Sequence, residues 1–144
     1  MKLGEALTLR ARQSQKLHDL KGRIAQNCLV QEGDKPNENV EDLIDQYNLL
    51  SLDHAQLIGD ITNANVDSGI LEMITKRDHL RRKLSALQTA VQAATATPYS
   101  YSRTEIKWTP LIEVAVYQQA IEELESEINE LDVQLQTKNW TWEI

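Results

Sequence analysis

Phenylalanine is absent from this 144-residue chain, and the other aromatics amount to three tryptophans and four tyrosines. A core made without them must be mostly Leu, Ile, Val and Ala, which suits helices better than a β-sandwich. Proline occurs three times and glycine five times, mostly between periodic segments, which agrees. The single cysteine, Cys28, excludes an internal disulfide and points to a reducing compartment, the cytosol. Basic charge is in deficit: the net charge is −7 and the pI about 4.9. That excludes a general nucleic-acid binder, which needs a basic footprint for phosphates, and it disfavours anionic membrane surfaces. No apolar run approaches the roughly 20 residues needed to cross a bilayer. Met1 to Gln13 contain no continuous apolar stretch of the kind a signal peptide carries.

What the chain does have is heptad periodicity. From Val114 to Leu135, one row holds Val114, Ile121, Ile128 and Leu135, and the next holds Tyr117, Leu124 and Leu131. Such a seam is the mark of helix packed on helix. Three earlier segments repeat it less cleanly. Lys2 to Leu29 has Leu3, Leu17 and Ile24 in register with Arg10. Glu38 to Ile61 has Val40, Tyr47, His54 and Ile61 beside Leu43, Leu50 and Leu57. Ile70 to Thr95 has Ile70, Leu84 and Val91 in register with Arg77, beside Met73, Leu80 and Leu87. Breaks are expected at 32–37, at Asn63 to Gly69 and at Ala96 to Pro110, with Thr109 as N-cap and Pro110 as first helical residue of the last helix.

Charge alternates along the four segments. In order they carry about +4, −6, +3 and −6. Short links between helices of similar length favour antiparallel neighbours, so an up-down-up-down order sets opposite charges side by side. Each surface pair contributes only about 0–1 kcal/mol; the charges act more in choosing which helices sit together. The expectation is one all-α domain over 1–144: four long antiparallel helices, as a bundle or as coiled-coil hairpins, with an irregular or extended arm before the last.

That order sorts the loops to two ends. One end collects Glu32 with Tyr101, Arg103, Glu105, Lys107 and Trp108. Residues 99–108 alternate with a strand period, which reads either as an arm docking on another subunit or a small anionic ligand, or as a loop held down by Ile106 and Trp108. The other end brings Trp140 and Trp142 near Asn63, Asn65 and Asp67, as a cap on the bundle or a partner-binding tail.

Signatures of chemistry are scarce. Asn63, Asn65 and Asp67 have calcium-loop spacing, but Ser68 stands where the loop needs Gly and Ile74 where it needs a bidentate Glu. There is no phosphate loop, nucleophile elbow, dinucleotide fingerprint, H-E-x-x-H or E-x-x-H. Cys28 reads as a small core residue near a helix end. Arg10 and Arg77 are the odd residues, because each interrupts an apolar row and an unpaired buried charge costs several kcal/mol, roughly. They suggest a polar layer of Arg10, His54, Arg77 and Asp78, with Gln13 as a further partner, that sets helix register or a subunit interface.

Several strings, taken in order along the chain, are familiar. They are Gln26 to Gly33, Ile61 to Asn65, Arg77-Asp78, Tyr101 to Lys107, Glu130-Leu131-Asp132 and Asn139 to Ile144. In these the chain resembles a family of small bacterial proteins often labelled septicolysin. The resemblance implies a small helical bacterial protein and brings no catalytic residues; its label suggests a cytolysin. The residues themselves lead to a non-enzymatic, cytoplasmic, self-associating helical protein without a cofactor or metal. It is expected to be a dimer or higher homo-oligomer that binds neither nucleic acid nor membrane. A protein- or ligand-binding module using the 30–39/96–109 end comes second, and a membrane-active protein third.

Overall fold

The computed structural model of the chain describes residues 1–96 and 107–144. Four α-helices follow one another: α1 (Leu3–Gln26), α2 (Val40–Asp67), α3 (Ile70–Thr95) and α4 (Val114–Thr141). The fold is all-α, and the β pairing among the described residues is one isolated bridge between Lys2 and Glu143.

The ends of α1 and α2 are set by side chains that satisfy orphan backbone groups. Glu5 accepts from the Lys2 N–H at 2.8 Å to open α1. Asn27 closes it: its amide donates to the Arg23 carbonyl at 2.8 Å and its oxygen accepts from the Glu38 N–H at 3.0 Å. Asn27 is buried and Cys28, one step beyond the cap, is exposed. The expected core role for Cys28 is therefore wrong, because the helix ends too early to turn it inward. Asn39 caps α2, accepting from Glu41 at 3.0 Å and Asp42 at 3.3 Å, and those two acids complement the positive end of the helix dipole.

The expected break at Asn63 to Gly69 shrinks to Ser68 and Gly69. Asn and Asp cost a helix only a few tenths of a kcal/mol each, roughly, and the buried Ile61 and Ala64 keep α2 going through Asp67. Gly69, at φ +74°, enters the left-handed region that ends helices. The expected cap at Thr109 and Pro110 is also displaced, since α4 starts at Val114. Pro110, Leu111 and Ile112 instead line a groove with Ala90 and Ala94, and Leu111 there is almost wholly exposed.

The chain forms two compact units, one of residues 1–69 and 138–144, the other of residues 70–137. In the first, α1 and α2 are antiparallel. Leu3, Ala6 and Leu20 of α1 are buried, as are Leu43, Leu57, Ile61 and Ala64 of α2; each fully buried Leu or Ile contributes about 1.5–3 kcal/mol. In the second, Leu80 of α3 forms a core with Leu124, Ile128 and Leu131 of α4, and Met73, Leu84 and Leu87 pack against it. These are the heptad positions read from the sequence. The charge alternation is realised in both units: Arg23 pairs with Glu38, Lys76 with Glu127 at 3.6 Å, and Arg77 with Asp132 at 3.0 Å.

Candidate functional site

In the first unit the two ends of the chain are tied together. The Leu3 N–H donates to the Trp142 carbonyl at 2.9 Å and the Ile144 N–H to the Met1 carbonyl at 3.0 Å. Lys2 meets Glu143 at 2.5 Å, and the hydrogen bond from that ammonium holds the Glu143 carboxyl below the usual carboxylate range. Trp140 lies on Gly4 so closely that a Cβ there would be 3.0 Å from two indole carbons. Beside this knot, a cavity of about 560 Å³ is lined by Leu57, Asp60, Asn63, Asp67 and Trp142 among others. The tail thus lies where the sequence placed it, against the end of α2. Trp140 itself, on the α1 side, remains 61% exposed.

The other candidate cluster divides between the units. Glu32 is an exposed loop residue of the first, whereas Lys107 and Trp108 belong to the second and are also exposed. Tyr101, Arg103 and Glu105 lie outside the described residues, as does the rest of the 99–106 alternation. Trp108 lines an open groove of about 700 Å³ with Ala90, Ala93, Ala94, Pro110 and Ile112.

The candidate polar layer resolves into two separate sets. His54 is half-buried and its Nδ1 lies 3.1 Å from Oε1 of Gln13, across from α2 to α1. Arg10, placed in an apolar row, is exposed. In the second unit, Arg77 donates to Asp132 on α4, while Asp78 lies 3.9 Å away. Arg81 also reaches Asp132, at 3.6 Å. The Arg77 side chain is 23% exposed, so this carboxylate answers the cost of putting a charge in an apolar row. The sequence reading missed Asp132 as partner, although it lies beside Leu131 of the seam and could have been found by setting the two helices antiparallel. Among the described residues, no group of three His, Cys, Asp or Glu side chains could hold a metal, and no helix is long and apolar enough to cross a membrane.

A face of α2 went unread in the sequence. At about 3.6 residues per turn, Leu43, Leu57 and Ile61 face the core, while Asp42, Asp45, Asp53, Asp60 and Asp67 share a second side. Ile44, Leu52, Ala55, Ile58 and Val66 share a third, and all five are exposed. Between Ile44 and Val66 this flank carries no charge. The confinement of every one of those aspartates to the opposite flank was the available signal.

Residues 10–144 match a family described as a family of unknown function, DUF6847. The chain belongs to this family. It is also similar to a solved structure, the crystal structure of a functionally unknown conserved protein from Corynebacterium diphtheriae. The two are 26% identical with a TM-score of 0.73, over 97% of this chain and 95% of that one. None of the curated proteins matches the chain. The septicolysin label occurs in neither of the two descriptions; what they share with the resemblance is a protein without an assigned activity.

Proposed function

We propose that the protein is a non-enzymatic, cytoplasmic helical module that works by associating with copies of itself. The observation that carries this reading is the balance of apolar side chains. Among the described residues thirteen hydrophobic side chains are buried, whereas eighteen large ones are exposed. Of these, Ile44, Leu52, Ile58 and Val66 share one uncharged flank of α2, and an exposed apolar flank of that kind is a candidate interaction site. The polar clusters are consistent with a structural role: His54 is engaged by Gln13, Arg77 and Arg81 by Asp132, and Lys2 by Glu143.

Light scattering after size exclusion, over a range of protein concentrations, tests it. A mass above that of one chain at high concentration supports self-association, and one chain's mass throughout removes it. In that second case the groove beside Trp108 becomes the leading feature. A module that binds another protein or a small ligand at the 96–109 end is then the reading to pursue, with Trp108→Ala as its first variant.

A further inference from the structure

The cavity beside the tied chain ends has no part in the self-association reading. Its volume of about 560 Å³ lies in the range of small-molecule sites, about 300–1,000 Å³. Leu57 and Ala64, both buried, give it an apolar floor, and Trp142 of the tail adds an indole. Asp60, Asn63 and Asp67 of α2 line it too. Asp60 and Asp67 are seven residues apart, which sets them on one side of the helix and about 10 Å apart along its axis. Among the described residues neither carboxylate is in an ion pair, and α2 contains no Lys or Arg. Asp60 accepts from Gln56 at 3.0 Å through Oδ1, which leaves its Oδ2 for a ligand. We propose that this cavity binds a short linear diamine. One ammonium group sits on Asp60 and the other on Asp67, with the methylene chain against Leu57, Ala64 and Trp142. Such binding requires no second copy of the chain.

Charge selects a cation. The negative end of the α2 dipole lies here, and its last turn holds no basic residue. The cations around the cavity have partners of their own. Lys2 pairs with Glu143, which the Met1 amino group also attracts, and Lys138 donates to the Ser68 carbonyl. Glu143 is thereby compensated, and the charges of Asp60 and Asp67 are left. Their spacing selects an organic cation over a metal ion. Metal–oxygen bonds are only about 2.0–2.6 Å long, so one ion cannot join carboxylates two turns apart. Nor could any group of three His, Cys, Asp or Glu among the described residues hold one. The same spacing sets the length of the ligand. Charge-assisted N–H···O contacts take about 2.8 Å at each end. About 10 Å between the carboxylates then leaves roughly 5–6 Å between two nitrogens, a diamine of about four carbons. An indole suits both parts of such a molecule, since it attracts ammonium groups and packs against methylenes.

Isothermal titration calorimetry of the full chain with 1,4-diaminobutane, at low ionic strength, tests this site. The expected result is saturable binding of one diamine per chain. The monoamine 1-aminobutane, of the same carbon length, should bind about tenfold more weakly, for want of one charge-assisted hydrogen bond. Asp60→Asn and Asp67→Asn, each checked for unchanged helix content by circular dichroism, should each weaken the diamine by about the same factor. Asp53→Asn, on the same acidic flank but outside the cavity, should leave the affinity unchanged. Absence of saturable binding at millimolar diamine overturns the proposal. Equal losses from Asp53→Asn and Asp60→Asn also overturn it, because they mark diffuse attraction to an acidic helix. So does 1-aminobutane binding as tightly as the diamine, since the two carboxylates then do not act together.

Discussion

Gly4 and Gly22 both lie in α1, and replacing each by alanine should move stability in opposite directions. At Gly22 nothing lies within 4 Å of the new methyl group. The substitution then gains helix propensity alone, about 0.5–1 kcal/mol in a helix interior. At Gly4 the same methyl would sit 3.0 Å from Trp140 Cδ2 and Cε3 and 3.2 Å from the Asn139 carbonyl oxygen. The indole is more than half exposed and can swing outward, but the carbonyl belongs to the last turns of α4 and moves only with the backbone. Overpacking of this kind costs about 1–3 kcal/mol. The propensity gain at Gly4 is small, because the residue stands in the first turn, where helix order is least demanding. The net expectation is a loss of about 1–2 kcal/mol for Gly4→Ala and a gain of about 0.5–1 kcal/mol for Gly22→Ala. Urea unfolding followed by circular dichroism reads both. If Gly4→Ala stabilises the protein as much as Gly22→Ala does, the close seating of the tail on α1 is wrong.

Asp132→Ala should cost about 1–3 kcal/mol, because it strips the partner from a half-buried Arg77, whereas Glu127→Ala removes an exposed pair worth under about 1 kcal/mol; equal losses in urea would show that the Arg77 contact adds nothing. Arg77→Leu should be far milder than Asp132→Ala, since it removes the charge along with its pairing. Glu38 titrates below the usual carboxylate range because Arg23 hydrogen-bonds its ionised form. Its contribution is therefore present above the ordinary carboxylate pKa and lost as pH falls through the lowered folded value, so the difference in melting temperature between wild type and Glu38→Gln should shrink on acidification. Gly69→Ala places a side chain at φ +74° and should lower stability by about 1–2 kcal/mol, read by thermal melting.

How far the chain could be read depended on the range of the interaction involved. Helix identity is a local matter. The rows that hold Leu124, Ile128, Leu131 and Leu135 repeat within one segment, and burying the one apolar stripe of that helix picks those residues. α3 was bounded correctly for the same reason, as Gly69 before it is a strong terminator and its apolar row, interrupted only at Arg77, runs to Val91. Charge alternation also survived folding, because segments that follow one another in the chain are the ones that pair, as Arg23 does with Glu38 and Arg77 with Asp132. The extension of α2 through Asp67 was hidden, since the polar residues Asn63, Asn65 and Asp67 resemble a loop until Ile61 and Ala64 are seen buried.

Composition and periodicity by themselves determined that the protein is helical, that each helix has one principal apolar seam, and that basic helices pair with acidic ones. Tertiary structure alone decided which carboxylate neutralises Arg77, that Asn27 rather than Cys28 turns inward, and that Trp140 rests on Gly4. It also decided that the uncharged side of α2 stays in water. The reason is physical: a seam is written in the spacing of one segment, whereas a contact depends on where two distant segments stop, and one residue's difference in a helix end turns a side chain by about 100°.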